Sequence, residues 1–148
     1  MAGRKLTAKL LIERPADSVF AFVADYRNVP RLLEGVKTWR PIGGRSEGVG
    51  ARYLVGLTAL GFSVEARIRI SEWTRGKVIA WVSESSPIEN HGSWRFRSRS
   101  GGTELSLELD YTPPAGGVGN FLAARIEGIV RGRILKALGE MKAELEAD

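Results

Sequence analysis

The sequence predicts an α+β fold: a seven-stranded antiparallel curved sheet wrapped around a long C-terminal helix, with two short helices after strand one. Three observations predict it. After the breaker-rich run Pro113-Pro114-Ala115-Gly116-Gly117, nothing forbids a helix to the C-terminus. Within that stretch Val118, Leu122, Ile126, Ile129, Val130, Ala137, Leu138, Met141 and Leu145 recur mostly at three- and four-residue steps, one apolar stripe on the helical period. Arg125, Arg131, Arg133, Lys136, Glu140, Lys142 and Glu144 fall largely off it. A helix of roughly 29 residues, about 43 Å long, needs a large apolar surface to face. Second, the preceding residues alternate apolar and polar as half-buried strands do. Third, turn residues separate those strands at hairpin spacing.

Taken in order, Lys5 to Glu13 reads as the first strand, with Leu6, Ala8, Leu10 and Ile12 on one face. Pro15 cannot continue a ladder, and Asp17 or Ser18 is placed to cap the helix that follows. That helix, Ala16 to Ala24, offers Val19, Phe20 and Val23 as its buried side. A second short helix, Asp25 to Glu34, is broken by Pro30 and has Tyr26, Val29, Leu32 and Leu33 for packing. Together the two form a bracket.

Six further strands follow. Val36 to Ile42 carries Trp39, and Ala51 to Leu57 sets Tyr53, Val55 and Leu57 opposite Arg52. Leu60-Gly61 turns the chain into Phe62 to Trp73, where Phe62, Val64, Ala66, Ile68 and Ile70 alternate cleanly with Ser63, Glu65, Arg67, Arg69 and Ser71. Lys77 to Ser83 holds Ile79 and Trp81 on one parity. Glu89 to Arg99 places Gly92, Trp94 and Phe96 against Ser93, Arg95 and Arg97. Gly101-Gly102 leads into Thr103 to Tyr111, with Leu105, Leu107, Leu109 and Tyr111 against Glu104, Ser106, Glu108 and Asp110. Such a sheet has one solvated face, and the terminal helix is the only element long enough to cover the other.

Composition narrows the function classes. A chain of 148 residues suits a single domain, residues 1–148, with an apolar share of 43% and a charged share of 26%. The absence of Cys excludes disulfides, thiolate chemistry and cysteine metal sites. A lone histidine, His91, speaks against a histidine metal site, so no metal and no cofactor are expected. The segment Met1-Ala2-Gly3-Arg4-Lys5 lacks the apolar run of a signal peptide, and no stretch approaches the roughly 20 apolar residues of a membrane span. Cytoplasmic residence with no integral membrane span is therefore the expectation. The net charge of +5 is spread along strands that also carry acids, so cross-strand ion pairs account for it. Nucleic acid is not an expected partner, because the aromatics fall on the buried parity.

Several stretches carry a resemblance. Ile12-Glu13-Arg14-Pro15-Ala16-Asp17-Ser18-Val19-Phe20-Ala21-Phe22-Val23-Ala24-Asp25 is a strand, a Pro-Ala step and an amphipathic helix entry. Val29-Pro30-Arg31-Leu32-Leu33, Gly48-Val49-Gly50-Ala51-Arg52-Tyr53 and Gly101-Gly102-Thr103-Glu104-Leu105-Ser106-Leu107 follow in order, then Tyr111-Thr112-Pro113-Pro114. This succession resembles the helix-grip fold of the START / birch-pollen-allergen superfamily, SRPBCC, in its polyketide cyclase/dehydrase-like branch. The similarity covers nearly the whole chain. It implies a cavity between sheet and helix that takes a hydrophobic small molecule such as a lipid, quinone or polyketide. It leaves a homodimer open.

By parity the lining of that cavity takes Tyr53 and Val55 from one strand, and Val64, Ala66 and Ile68 from the next. Trp81, Trp94 and Phe96 follow, then Leu107, Leu109 and Tyr111. The helix contributes Leu122, Ile126, Ile129 and Val130. Periodicity alone does not separate a lined cavity from a filled core. Gly128 and Gly132, on or beside the stripe, fit either a hollow or a close approach to the sheet, and each costs about 1 kcal/mol of helix propensity relative to Ala. Segments Thr58 to Gly61 and Gly116 to Asn120 are rich in Gly and suit a gate. No catalytic constellation appears. His91 has the side chain suited to general-base work but the wrong parity, and the Tyr53 and Tyr111 hydroxyls fit hydrogen bonds to a ligand carbonyl or to the backbone. Competing readings are a polyketide cyclase or dehydratase using Tyr53, Tyr111 or His91 as proton donor or acceptor, and an interaction module using the arginine-bearing outer face.

Overall fold

The computed structural model describes residues 3–59, 61–86, 89–112 and 117–147, with the side chains of 59, 62, 117–123 and 126 outside that description. Its elements run β1 (Arg4–Ile12), α1 (Ala16–Ala24), α2 (Asn28–Leu32), β2 (Val36–Ile42), β3 (Arg52–Ala59), β4 (Phe62–Thr74), β5 (Val78–Ser85), β6 (Asn90–Arg99), β7 (Gly102–Tyr111) and α3 (Gly117–Glu146). The seven strands form one antiparallel sheet in the order β1-β7-β6-β5-β4-β3-β2. Register follows the apolar alternation. Leu6 faces Leu109, Ala8 faces Leu107, and Leu10 faces Leu105 across β1 and β7. A slipped register would turn these side chains to water. Irregularities between Val36 and Thr38, and between Ile70 and Glu72, break the ladders of β2 and β4, which is how a sheet acquires a bend.

The core lies between the concave face and the helices. Val19, Phe20 and Val23 of α1 are buried, and the Phe20 ring meets Trp73 and Phe96 edge-on at 5.5 and 5.2 Å. From α3, Ile134, Ala137, Leu138 and Met141 are buried, and Val130 and Leu145 pack against the core. The helix lies in a trough and is tied along both flanks. On the β1 side, Lys142 Nζ donates to the Leu11 carbonyl at 2.8 Å and Glu146 accepts the Glu13 N–H at 2.7 Å. On the other side, Arg31 of α2 pairs with Glu144 at 2.7 Å and Arg133 Nη1 donates to the Thr58 carbonyl at 2.7 Å.

Local details depart from the sequence reading. The N-cap of α1 is Pro15, with no side-chain cap bond; Asp17 sits inside the first turn, where the helix dipole favours a carboxylate. Pro30 does not break α2. It lies third in that five-residue helix, where a missing N–H costs no intrahelical bond. Gly128 and Gly132 face neither hollow nor sheet: both are exposed, and a Cβ at either would meet nothing within 4 Å. The outer face carries the expected cross-strand ion pairs, Arg52 and Arg69 both on Glu84, and Arg99 on Glu104.

Buried Thr103 joins β7 to the turn before α1 by donating its hydroxyl to the Arg14 carbonyl at 2.7 Å. Thr103→Val keeps the shape and removes the donor. It is expected to cost roughly 1–2 kcal/mol in urea unfolding, and an unchanged midpoint would show that this bond contributes nothing to stability.

Candidate functional site

The concave face divides into two halves along the strands. Toward the end where β1 runs into α1 and along the middle of the strands, Tyr53, Val55, Ala66, Ile68, Phe96 and Leu107 are all buried. Tyr53 is held there. Its hydroxyl donates to the Ser46 carbonyl at 2.5 Å, and its ring lies 5.9 Å from Tyr26 and 6.1 Å from Trp39. Burial pushes its phenol up to about 12.

The opposite end, where Arg4 pairs with Tyr111 and Tyr111 with Asn90, is half open among the described residues. Leu57 and Val64, cross-strand neighbours, are 36% and 39% exposed on the concave parity. Trp81, Trp94, Leu109, Tyr111, Ile129 and Val130 are half-buried. Of the residues read from sequence, Trp81, Trp94, Leu109, Tyr111, Ile129 and Val130 are thus half-buried and Val64 is exposed, as is its cross-strand neighbour Leu57. The side chains of Leu122 and Ile126 lie outside the described residues, as do Leu60, Gly116 and the side chains of 117–120 in the two segments read as a gate.

Polar groups collect at this same end. The Tyr111 hydroxyl donates to Glu127 Oε1. Arg4 Nε lies 3.0 Å from that oxygen, and Arg131 Nη2 lies 3.7 Å from Oε2. The Glu127 side chain is only 19% exposed. The Tyr111 hydrogen bond chiefly, then Arg4 and Arg131, hold its carboxyl below the ordinary 4.5 against the opposing effect of burial. Burial, and then the bond to Glu127, push the Tyr111 phenol up to about 12. Trp81 Nε1 donates to Asn90 Oδ1 at 3.0 Å, and the Asn90 N–H donates to Ser83 Oγ at 3.0 Å. Trp81 lies close over Gly92 because no side chain stands there: a Cβ would be 2.6 Å from the indole and would collide with the Glu108 carbonyl. An open groove of about 980 Å³ runs over the rim, lined by Arg4, Ser83, Asn90 and Tyr111 on the inner parity and by Lys5, Val82, His91 and Asp110 on the outer. His91 is exposed on that outer face, its Nε2 3.4 Å from Asp110 Oδ2.

Sequence reasoning missed Arg4, Asn90 and Glu127. Arg4 and Asn90 carried a signal, since they share parity with Leu6 and Trp94. Glu127 falls at the helical position of Ile134, Leu138, Met141 and Leu145, so a carboxylate interrupting the apolar stripe was its signal. The Glu127 pairing has a pH consequence. A carboxyl held low in the folded state adds stability above its unfolded value, and that stability is lost as pH falls through the folded value. The urea-midpoint difference between wild type and Glu127→Gln is therefore expected to be full at neutral pH and to shrink below 4.5. A difference that persists undiminished in acid contradicts the pairing.

A seven-stranded curved antiparallel sheet gripping one long C-terminal helix defines a helix-grip protein of the SRPBCC superfamily. The family described as polyketide cyclase / dehydrase and lipid transport matches residues 4–146, and the chain belongs to it. Among solved structures, TTHA0849 from Thermus thermophilus is similar at a TM-score of 0.83 with 19% identity, over 97% of this chain and 98% of that one. The Zhui aromatase/cyclase from Streptomyces sp. R1128 gives 0.75 at 18% identity, over 99% and 98%. The major latex-like protein 151 from Panax ginseng gives 0.71 at 13% identity, over 97% and 98%. At these identities the likeness is one of fold. No curated protein matches the sequence. Among the described residues no helix is long and apolar enough to cross a membrane.

Proposed function

We propose that the protein binds a hydrophobic small molecule, of the lipid, quinone or polyketide kind, at the half-open end of the concave face. One observation carries this reading: large apolar side chains stay partly exposed on the inner face of the sheet, directly beside a cluster of hydrogen-bonding groups. An inner face normally closes completely, and a small-molecule site is apolar with a few placed polar groups. Val64, Trp81, Trp94, Leu109, Ile129 and Val130 supply the apolar contact, worth about 25 cal/mol per Å² removed from water. Tyr111 and Asn90 set orientation.

The groups facing this end favour binding over acid–base work. Efficient acid–base groups titrate near the working pH. Glu127 is held below 4.5 and Tyr111 is raised to about 12, while His91 faces outward. Native mass spectrometry of the purified protein, with solvent extraction of whatever comes off, is the test. A co-purified apolar species supports the reading. An apo mass together with unchanged tryptophan emission on titration with a neutral naphthylamine probe overturns it.

A second reading, a cyclase or dehydratase acting on a polyketide-like chain, draws on the Tyr111 hydroxyl and Glu127 carboxylate meeting at the mouth. On that reading Tyr111→Phe abolishes turnover and leaves ligand binding intact. Unaltered turnover would remove Tyr111 from any mechanism.

A further inference from the structure

The arginines around the half-open end are not equivalent. Arg4 and Arg131 both face the Glu127 carboxylate. Arg133, on the opposite flank of α3, is half-buried and, among the described residues, has no carboxylate within 4.0 Å. Its Nη1 donates to the Thr58 carbonyl at 2.7 Å. The guanidinium lies hard against Gly35, where a Cβ would collide with Nη1. The neighbouring acid, Glu34, pairs with Lys136 at 3.7 Å instead. A guanidinium has five N–H donors, and a half-buried cation without a counter-charge is costly until an anion reaches it.

Next to this cation lie the apolar residues the sheet leaves uncovered. Leu57 precedes Thr58 in β3, faces Val64 across the ladder, and points to the concave side. Val130 is one helical turn before Arg133, on the face packed against the core. Arg4 and Arg131 thus share the Glu127 carboxylate, whereas Arg133 is bonded to a backbone carbonyl. Charge and shape together suit an amphiphile rather than a neutral hydrocarbon.

We propose that Arg133 anchors the head group of an amphiphilic ligand ending in an anion, a carboxylate or a phosphate monoester, whose chain lies over Leu57, Val64 and Val130 toward Trp81 and Trp94. The inference rests on the binding reading above and adds to it the ligand's charge and the residue that recognises it. Guanidinium suits this role because its planar fork meets two oxygens of one anion at once.

The test compares dodecanoate, dodecyl phosphate and dodecanol on the full chain by tryptophan emission. One of the two anions is expected to bind about tenfold tighter than dodecanol, the margin of one charge-assisted hydrogen-bond pair. The tighter anion identifies the head group. Arg133→Met, which keeps an aliphatic stem, is expected to erase the margin between the anion and dodecanol. Leu57→Glu sets a carboxylate on the same rim from an exposed position and is expected to erase it too, should Arg133→Met fail to fold. If dodecanol binds as tightly as both anions, the head-group assignment falls while hydrophobic binding stands. If the margin survives in both variants, Arg133 is not the anchor. If none of the three binds, both readings fall together.

Discussion

Leu138→Ala is expected to lower the unfolding free energy by about 2–5 kcal/mol, whereas Leu135→Ala, three residues earlier on α3, is expected to change it by no more than about 0.5 kcal/mol. The two leucines differ only in where the helix turns them. Leu138 is 2% exposed and sits in the core cluster with Met141 and Ile134; Leu135 is 52% exposed. Truncating Leu138 leaves a void that the sheet on one side and the bracketing helices on the other are too rigid to fill. The lost contacts add to the lost transfer energy. Urea unfolding monitored by tryptophan emission reads both. Equal losses at the two positions would mean that α3 is rotated about its own axis in solution, and that Arg133 and Glu127 do not flank the hollow.

Gly92→Ala is the second large effect, and it connects packing to the site. Glycine at this position lets the Trp81 indole lie on β6 while its Nε1 reaches Asn90. An added methyl would collide with the Glu108 carbonyl oxygen and stand 2.6 Å from two indole carbons. Backbone moves less readily than a ring, so the indole is displaced into the half-open end. The expected cost is about 1–3 kcal/mol of stability, typical of overpacking, together with a shift in tryptophan emission and weaker binding of any apolar probe. Unchanged emission and binding would show that Trp81 does not border the ligand space.

Much of this architecture was legible from sequence because two periods write it plainly. Every-other-residue alternation marked the concave parity of β3, β4, β6 and β7, and the burial of Val19, Phe20 and Val23 followed from the helical spacing in α1. Parity tells which face a side chain takes but not how far along the strand the cover reaches. That is why Tyr53 and Val64 read alike, although one is buried beside Tyr26 and Trp39 and the other borders the open end. The glycines of α3 misled for a related reason. A stripe broad enough to include Val130 and Ala137 blurs its own edges, yet Gly128 and Gly132 lie on the exposed face turned away from Val130, Ile134 and Met141. Arg133 acts on a flank of the same helix. Its role depends on which strand end rises to meet that flank, a matter of sheet curvature that no single segment encodes. The closeness of Trp81 to Gly92 is likewise a product of the register between β5 and β6.

The central claim is that a ligand enters the half-open end of the concave face and nowhere else. The most direct test is a titration of the isotope-labelled chain with a neutral naphthylamine probe, followed by backbone amide chemical shifts. The expected result is that the shifts concentrate on Leu57, Val64, Trp81, Trp94, Leu109, Tyr111 and Val130, with little change at Tyr53, Val55 and Ile68. Shifts confined to the groove of about 480 Å³ between α1 and Trp73, lined by Asp17, Phe20 and Arg75, would contradict it. So would shifts spread over the outer face around Arg52, Arg69 and Glu84.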